Sequence, residues 1–356
     1  MSIFANAKAE ADRCDPATIS ENSASEAKRA AGLAADQATV RMFERSMFTG
    51  GIMTMPDGQT IRHWGFEDPI GKSPKRAFPS PIIRVNQGEK LNVKLNLQAP
   101  LTKHTARVEA NGGSAGSVSV ARTESCLYSW HAQKPGVWFY QSHTGTPHDF
   151  EMGLYGLLVI DPPPGADGRP VLFEGGPSYD LEHILVLDDI DPTWHADAGK
   201  RMASDGARER RAFDPKYFLI NGVANTEAAN HRDVMARVKR GEKLLLRLCN
   251  ASFSLLRVSL GGLQANIVAV DGSPLGTRER PWTSCIPVRP QQPVFMSTAA
   301  RLDILIDFDP SMNDCAQDSM CPLDFEFLDL ATRTVRNANA SCSLHVGRAP
   351  ASIFVE

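Results

Sequence analysis

The sequence predicts an all-β chain of two tandem β-sandwiches preceded by a short helical N-terminal arm. Three observations predict it. From Met42 onward, short β-type runs alternate with Gly and Pro turn signals. A proline cluster, Asp161-Pro162-Pro163-Pro164, separates two stretches of the same texture. The 356 residues are too many for one ordinary domain and suit two, each with a sizeable core. The division this implies is an arm over 1–40, a first sandwich over 41–165, a linker over 166–180 and a second sandwich over 181–356.

In chain order, residues 1 to about 40 are polar, Ala-rich and helix-prone, and suit an arm packed on the body or on a second subunit. IMTMPDGQTIRHWGF and FPSPIIRVNQGEKLNVKLNL follow, with Pro56-Asp57-Gly58 and Asn86-Gln87-Gly88 supplying turns. Alternation in LNVKLNL places Leu91, Val93, Leu95 and Leu97 on one face of a half-buried strand. SVSVARTESCLYSWHAQ leads into WFYQSHTGTPHDFEMGLYGLLVI, an apolar strand, a loop bearing His143, His148 and Met152, and a second strand. Such a loop lies at one end of a sandwich, where ligands are usually held. The second half supplies LEHILVLDDI, YFLINGV, VMARVKRGEKLLLRLCNAS, LLRVSLGGL, ANIVAVDGSPL, RLDILIDFD and FEFLDL at regular spacing.

Composition narrows the function. The hydrophobic share of 42% and charged share of 22% are those of a globular protein. A net charge of −3, without Lys/Arg runs interleaved with aromatics, argues against nucleic acid as a partner. No window approaches roughly 18 uninterrupted apolar residues, so no membrane helix is expected. The N-terminus shows no export signal, which reads as cytoplasmic as written and periplasmic if a signal has been removed. Seven cysteines, an odd number in a chain large enough not to need staples, fit buried or free thiols as well as a bridge; Cys315 and Cys321 are the pair most readily bridged.

Several of these segments resemble the multicopper oxidases. PSPIIRVNQGEKLNVKLNL is similar to the opening strands of that family's first cupredoxin domain, and KPGVWFYQSHTGTPHDFEMGLYGLLVIDPP to the segment carrying a His-x-His pair. YFLINGV, VKRGEKLLLRLCNAS, IVAVDGSPL and RLDILIDF follow the order of segments in its second domain. The resemblance spans roughly residues 60 to 345. It implies two cupredoxin-like Greek-key sandwiches, copper chemistry and an oxidoreductase.

The copper motifs depart from the family pattern. Where the family has a His-Trp-His-Gly motif the chain reads KHTARVEANGG, keeping His104, and where it has His-x-His the chain reads Gln141-Ser142-His143. No Cys-bearing motif of a third domain follows. A blue-copper site needs a thiolate beside two imidazoles, and Ser142 fills that position, with Cys126 on the preceding strand. What the resemblance leaves is a metal cluster of His104, His143, His148 and Met152, with His143, His148 and Glu151 as catalytic candidates and Gln141 or Glu151 as supporting residues. The expectation is an oxidoreductase of multicopper oxidase descent, holding at most one copper ion and unlike a four-copper laccase. The alternative is a copper-free protein of this fold serving as a small-molecule binder, a metal-independent enzyme or an interaction scaffold. A small-molecule substrate is expected, and the N-terminal arm is the candidate contact for a partner chain or a homo-oligomer.

Other polar groups invite plainer readings. Asp188, Asp189 and Asp191 lack the spacing of a calcium loop and read as a solvated loop. Arg208, Arg210 and Arg211 suit a soluble excursion, and Arg237, Lys239 and Arg240 suit edge-strand protection. Trp64 reads as core beside an unassigned His63. No nucleotide-binding Gly pattern and no GxSxG elbow is present.

Overall fold

The computed structural model describes residues 39–71, 73–97, 104–108, 118–120, 125–142, 147–196, 212–228, 231–276, 285–313, 320–337 and 349–355. In the first half the strands are β1 (Val40–Thr54), β2 (Thr60–Glu67), β3 (Ser80–Asn86), β4 (Lys90–Leu97), β5 (His104–Val108), β6 (Val118–Val120), β7 (Ser125–His131), β8 (Gly136–Ser142) and β9 (Tyr155–Asp161). The second half begins with β10 (Leu181–Ile190), β11 (Tyr217–Ile220), β12 (Val223–Ala224), β13 (Ala236–Val238), β14 (Lys243–Asn250) and β15 (Leu255–Ser259). It continues with β16 (Ala265–Val270), β17 (Ser273–Pro274), β18 (Ile286–Val288), β19 (Val294–Met296), β20 (Arg301–Asp307), β21 (Met320–Leu328) and β22 (Ala349–Val355). The helical arm and Arg208, Arg210 and Arg211 lie outside the described residues, except that Val40 already opens β1.

The two halves repeat one topology. Residues 40–161 form a sheet ordered β2-β1-β4-β7 and a second ordered β3-β9-β8-β5-β6. In residues 181–355 the path β11-β10-β14-β20 matches the first of these and β13-β22-β21-β15-β19 the second. The parallel pairs recur as well: β1 with β4 and β3 with β9, then β10 with β14 and β13 with β22. Parallel neighbours cannot be joined by a hairpin, so each of these pairs records a crossover between the sheets. The result is two cupredoxin-like sandwiches.

The strands form where the pattern predicts them. Leu91, Val93 and Leu95 of β4 are buried while Lys94 is exposed, and they pack with Met47, Trp64, Phe66 and Met152 between the two sheets of the first sandwich. Pro56-Asp57-Gly58 turns β1 into β2 through bonds from Met55 N–H to Gln59 C=O and from Gly58 N–H to Met55 C=O. β13 is an edge strand with Arg237 exposed, where a charge discourages pairing with another chain.

β8 and β9 do not alternate, and the sandwich–sandwich contact explains why. Trp138, Tyr140, Leu158 and Ile160 face the interior of the first sandwich. Val137, Phe139, Leu157 and Val159 face outward, where they pack with Val186, Cys249 and Ala251 of the second. Strands buried on both faces read as continuous apolar runs. At this contact Gly136, at φ +133°, comes so close to the other sandwich that an added Cβ would lie 2.5 Å from the Gly272 carbonyl oxygen. The segment after the proline cluster is packed too: Leu172 and Tyr179 are buried against Leu245, Val268 and Ala269.

Burial overturns one expectation here. Asp188 and Asp189 are the end of β10 and Asp191 follows it, all buried, where a solvated loop was expected. β10 lies between β11 and β14 and faces the first sandwich, so its polar end is enclosed with the rest of the strand. Cys321 is disulfide-bonded, and Cys249 and Cys285 are free thiols. Cys315 itself lies outside the described residues.

Candidate functional site

The loop between β8 and β9 contains a short helix, His148–Glu151, held by bonds from Glu151 N–H to Pro147 C=O and from Met152 N–H to His148 C=O. The sandwich grips this loop at both ends. Ser142 N–H donates to Leu154 C=O at 3.0 Å, and Trp64 N–H to Met152 C=O at 2.7 Å.

The predicted site residues part company at this point. His148 packs edge-on to Trp64, with ring centroids 5.4 Å apart, and lies 6.3 Å from the ring of Trp194 in the second sandwich. Met152 is fully buried in the core of the first sandwich. Ser142, where a thiolate would stand, donates its hydroxyl to Asp149 Oδ2 at 2.7 Å, both groups buried. His143 lies outside the described residues, and so does the side chain of His104. β5 pairs with β8 through Ala106 opposite Ser142, so the backbone of His104 starts β5 at the end of the sheet where β8 ends. Among the described residues, no group of three His, Cys, Asp or Glu side chains is arranged to hold a metal ion.

Glu151 points the other way, into the boundary between the sandwiches. Its Oε1 accepts the Asp191 N–H at 2.9 Å and lies 3.4 Å from His195 Nε2. His195 sits in a second short helix, Pro192–Ala196, and its Nδ1 donates to the Arg62 carbonyl at 2.5 Å. Beside this pair, the Tyr155 hydroxyl donates to Asp188 Oδ2 at 2.6 Å. Asp189 accepts from the Ser254 hydroxyl at 2.5 Å and from Phe253 N–H at 2.9 Å. Asp191 accepts from Thr193 N–H at 2.7 Å and from Asp214 N–H at 2.9 Å.

Burial sets the charge states. It pushes the Glu151 carboxyl well above the usual range, and the nearby charges of Asp189 and Asp191 push the same way, opposed by the Asp191 N–H. Asp188 is raised well above its usual value, first by burial and then by the charge of Glu151. Asp189 is pushed up to about 6 by burial, against its bonds from Ser254 and Phe253. Burial lowers His195, and it lowers His63, whose Nδ1 faces the Trp64 carbonyl, to about 4.

Neither the Tyr155–Asp188 bond nor the approach of His195 to Glu151 was expected from the sequence. The available signal was LDDI closing a continuous apolar run: a strand buried on both faces carries its last polar residues inside with it.

Residues 74–165 match the multicopper oxidase family model. L-ascorbate oxidase of Cucumis sativus is 30% identical over 177 residues, covering 47% of this chain and 27% of that protein. L-ascorbate oxidase of Cucurbita pepo var. melopepo is 28% identical over 156 residues, covering 41% and 26%. The chain thus spans about a quarter of the length of the curated relatives it matches. In architecture it is similar to the blue copper oxidase from Nitrosomonas europaea, at a TM-score of 0.62 and 16% identity, covering 89% of this chain and 86% of that one. The copper nitrite reductase from the same organism gives 0.58 at 17% identity, covering 89% and 94%.

Proposed function

We propose that this chain, which matches the multicopper oxidase family model over residues 74–165, is an oxidoreductase of that descent with at most one copper ion, held at the loop end of the first sandwich, and that it is not a four-copper laccase. What supports this reading is that β5, which His104 opens, pairs with β8, the strand that precedes the loop helix starting at His148. The donor chemistry fits copper in part. Imidazoles suit the ion, whereas Met152 is taken up by the core, Ser142 by Asp149 and Glu151 by the second sandwich. Such a site would be held by imidazole alone and would lack the thiolate of a blue centre. When bound, copper would supply one-electron exchange with a small-molecule substrate. The chain's own residues would orient the His148 ring between Trp64 and Trp194 and exclude water from it.

The two sandwiches, 41–165 and 181–356, are the domains of this reading. An oxidising compartment such as the periplasm suits a chain with a disulfide at Cys321. Among the described residues no helix is long and apolar enough to cross a membrane.

The copper-free alternative draws support from the same three engaged side chains and from a cavity inside the first sandwich, lined by Phe66, Tyr128, Trp130, Tyr140 and the aliphatic part of Arg45. Elemental analysis and an absorption spectrum after copper loading separate the two. About one copper per chain without intense blue colour, reduced by His148→Ala in a protein that still folds, is the expected result. More than one copper per chain, or an intense blue band, overturns it, and no bound copper selects the alternative.

A further inference from the structure

Arg84, Arg247 and Arg257 each place Nε–H on a carboxylate: Asp161 at 2.6 Å, Glu182 at 2.6 Å, and Glu326. Arg45 does not. Phe43 and Met47, two positions to either side of it in β1, pack between the sheets of the first sandwich, and Arg45, 2% exposed, lies on that same face. Its Nη1 donates to the Glu44 C=O at 2.9 Å and lies 3.5 Å from Asp68 Oδ2, and its Nη2 reaches the Ile82 C=O at 3.4 Å. The Tyr140 hydroxyl beside the same guanidinium donates to the Pro81 C=O at 2.7 Å. Arg45 Nε is buried with no hydrogen-bond partner. A guanidinium keeps its charge inside a protein, so this donor faces the interior without the acceptor that a buried polar group takes.

The open donor adjoins a cavity. Arg45 gives its stem to the wall of the cavity inside the first sandwich, and Nε is the first polar atom along that stem. Leu95, which pairs with Arg45 in the β1–β4 register, lines it too, with Phe66 and Leu158. Half-buried Trp130 and Gln141 lie on its more exposed side. A water held there would need two or more polar partners, and these walls are hydrocarbon. We propose that the interior of the first sandwich binds a short monocarboxylate, with its carboxylate on Arg45 Nε–H and its hydrocarbon part against Leu95, Phe66 and Leu158. The ligand stands to Arg45 as Glu182 stands to Arg247. That second buried guanidinium carries Asp303 on Nη1 as well, so one arginine of this chain already takes two carboxylates, and Asp68 at Nη1 of Arg45 leaves Nε to the ligand. The site needs no metal and holds under either reading of the β8–β9 loop.

NMR of the metal-free full chain at pH 7 tests this through the arginine Nε–H and tryptophan Nε1–H resonances, with sodium butyrate exchanged for sodium chloride at constant ionic strength. The Arg45 resonance, identified by its loss in Arg45→Met, should move saturably with butyrate, and butyramide should bind at least tenfold more weakly. Arg45→Met keeps the stem, removes the charge and leaves Asp68 partly solvated. In that variant the Trp130 Nε1–H should report butyrate and butyramide binding within twofold of each other. Leu95→Phe fills the space beside Arg45 and should weaken butyrate at least tenfold while the Arg45 resonance persists. The site is overturned if the Arg45 resonance stays still or moves without saturating, if butyramide matches butyrate, or if Arg45→Met keeps the preference. It is overturned as well if sodium chloride alone gives the same shift, which would make the position one for any small anion.

Discussion

The Tyr155 hydroxyl reaches Asp188 Oδ2 across 2.6 Å and ties the start of β9 in one sandwich to the end of β10 in the next. Tyr155 is also stacked on Phe150, with ring centroids 4.6 Å apart. Tyr155→Phe keeps the ring and removes the bond, leaving a buried acid without its donor. The expected cost is about 1–3 kcal/mol in urea unfolding. In a cycle with Asp188→Ala the two losses should fall short of adding; full additivity would mean the bond contributes nothing.

His63 makes the fold sensitive to acid. Its ring lies between Phe48 and Phe78 and titrates near 4 where a free histidine titrates near 6.5. The unfolded chain therefore binds the proton first, and stability falls as pH drops from about 6.5 toward 4, by up to about 3 kcal/mol from this residue. His195 and His183, also lowered by burial, act in the same direction. Denaturant midpoints at pH 7 and pH 4.5 should converge in His63→Phe relative to the parent, and an unchanged gap would contradict the assignment.

An ion network runs from the boundary into the second sandwich. Arg247, fully buried, donates from Nε to Glu182 and from Nη1 to Asp303, both at 2.6 Å, while half-exposed Arg84 joins Glu182 to Asp161. Asp303→Ala leaves a buried guanidinium short of its partner and should cost about 3–5 kcal/mol. Arg84→Ala removes a solvated partner and should cost about 1 kcal/mol or less. Equilibrium unfolding of the two variants checks the contrast.

Two glycines with positive φ should respond differently to alanine. At Gly58, on the β1–β2 turn, nothing lies within 4 Å of an added Cβ, so only the backbone strain of about 1 kcal/mol is expected. At Gly136 the Cβ would meet the Gly272 carbonyl oxygen across the boundary, and the cost should exceed about 2 kcal/mol. Thermal unfolding of both variants measures the difference.

The strands were legible because their cause is local. Alternation in LNVKLNL and turn chemistry at Pro56-Asp57-Gly58 are written in neighbouring residues, and β4 and the β1–β2 hairpin follow from them. The candidate site was legible only in part. The strand register sets the start of β5, at His104, beside the end of β8, yet the same sequence pattern offered Met152 and Glu151 as companions of the histidines, and packing puts Met152 in the core and Glu151 against the second sandwich.

The sequence by itself determined two tandem sandwiches and the position of the loop between β8 and β9, because turn residues and apolar periodicity act over a few positions. Only the tertiary structure decided that β8 and β9 are buried on both faces and that Asp188, Asp189 and Asp191 lie inside. It also turned Glu151 from the loop toward His195. The physical reason is that burial of a polar group depends on what the other sandwich lays over it, a contact between residues 33 positions apart at Tyr155–Asp188 and 40 apart at Glu151–Asp191 that no local pattern encodes.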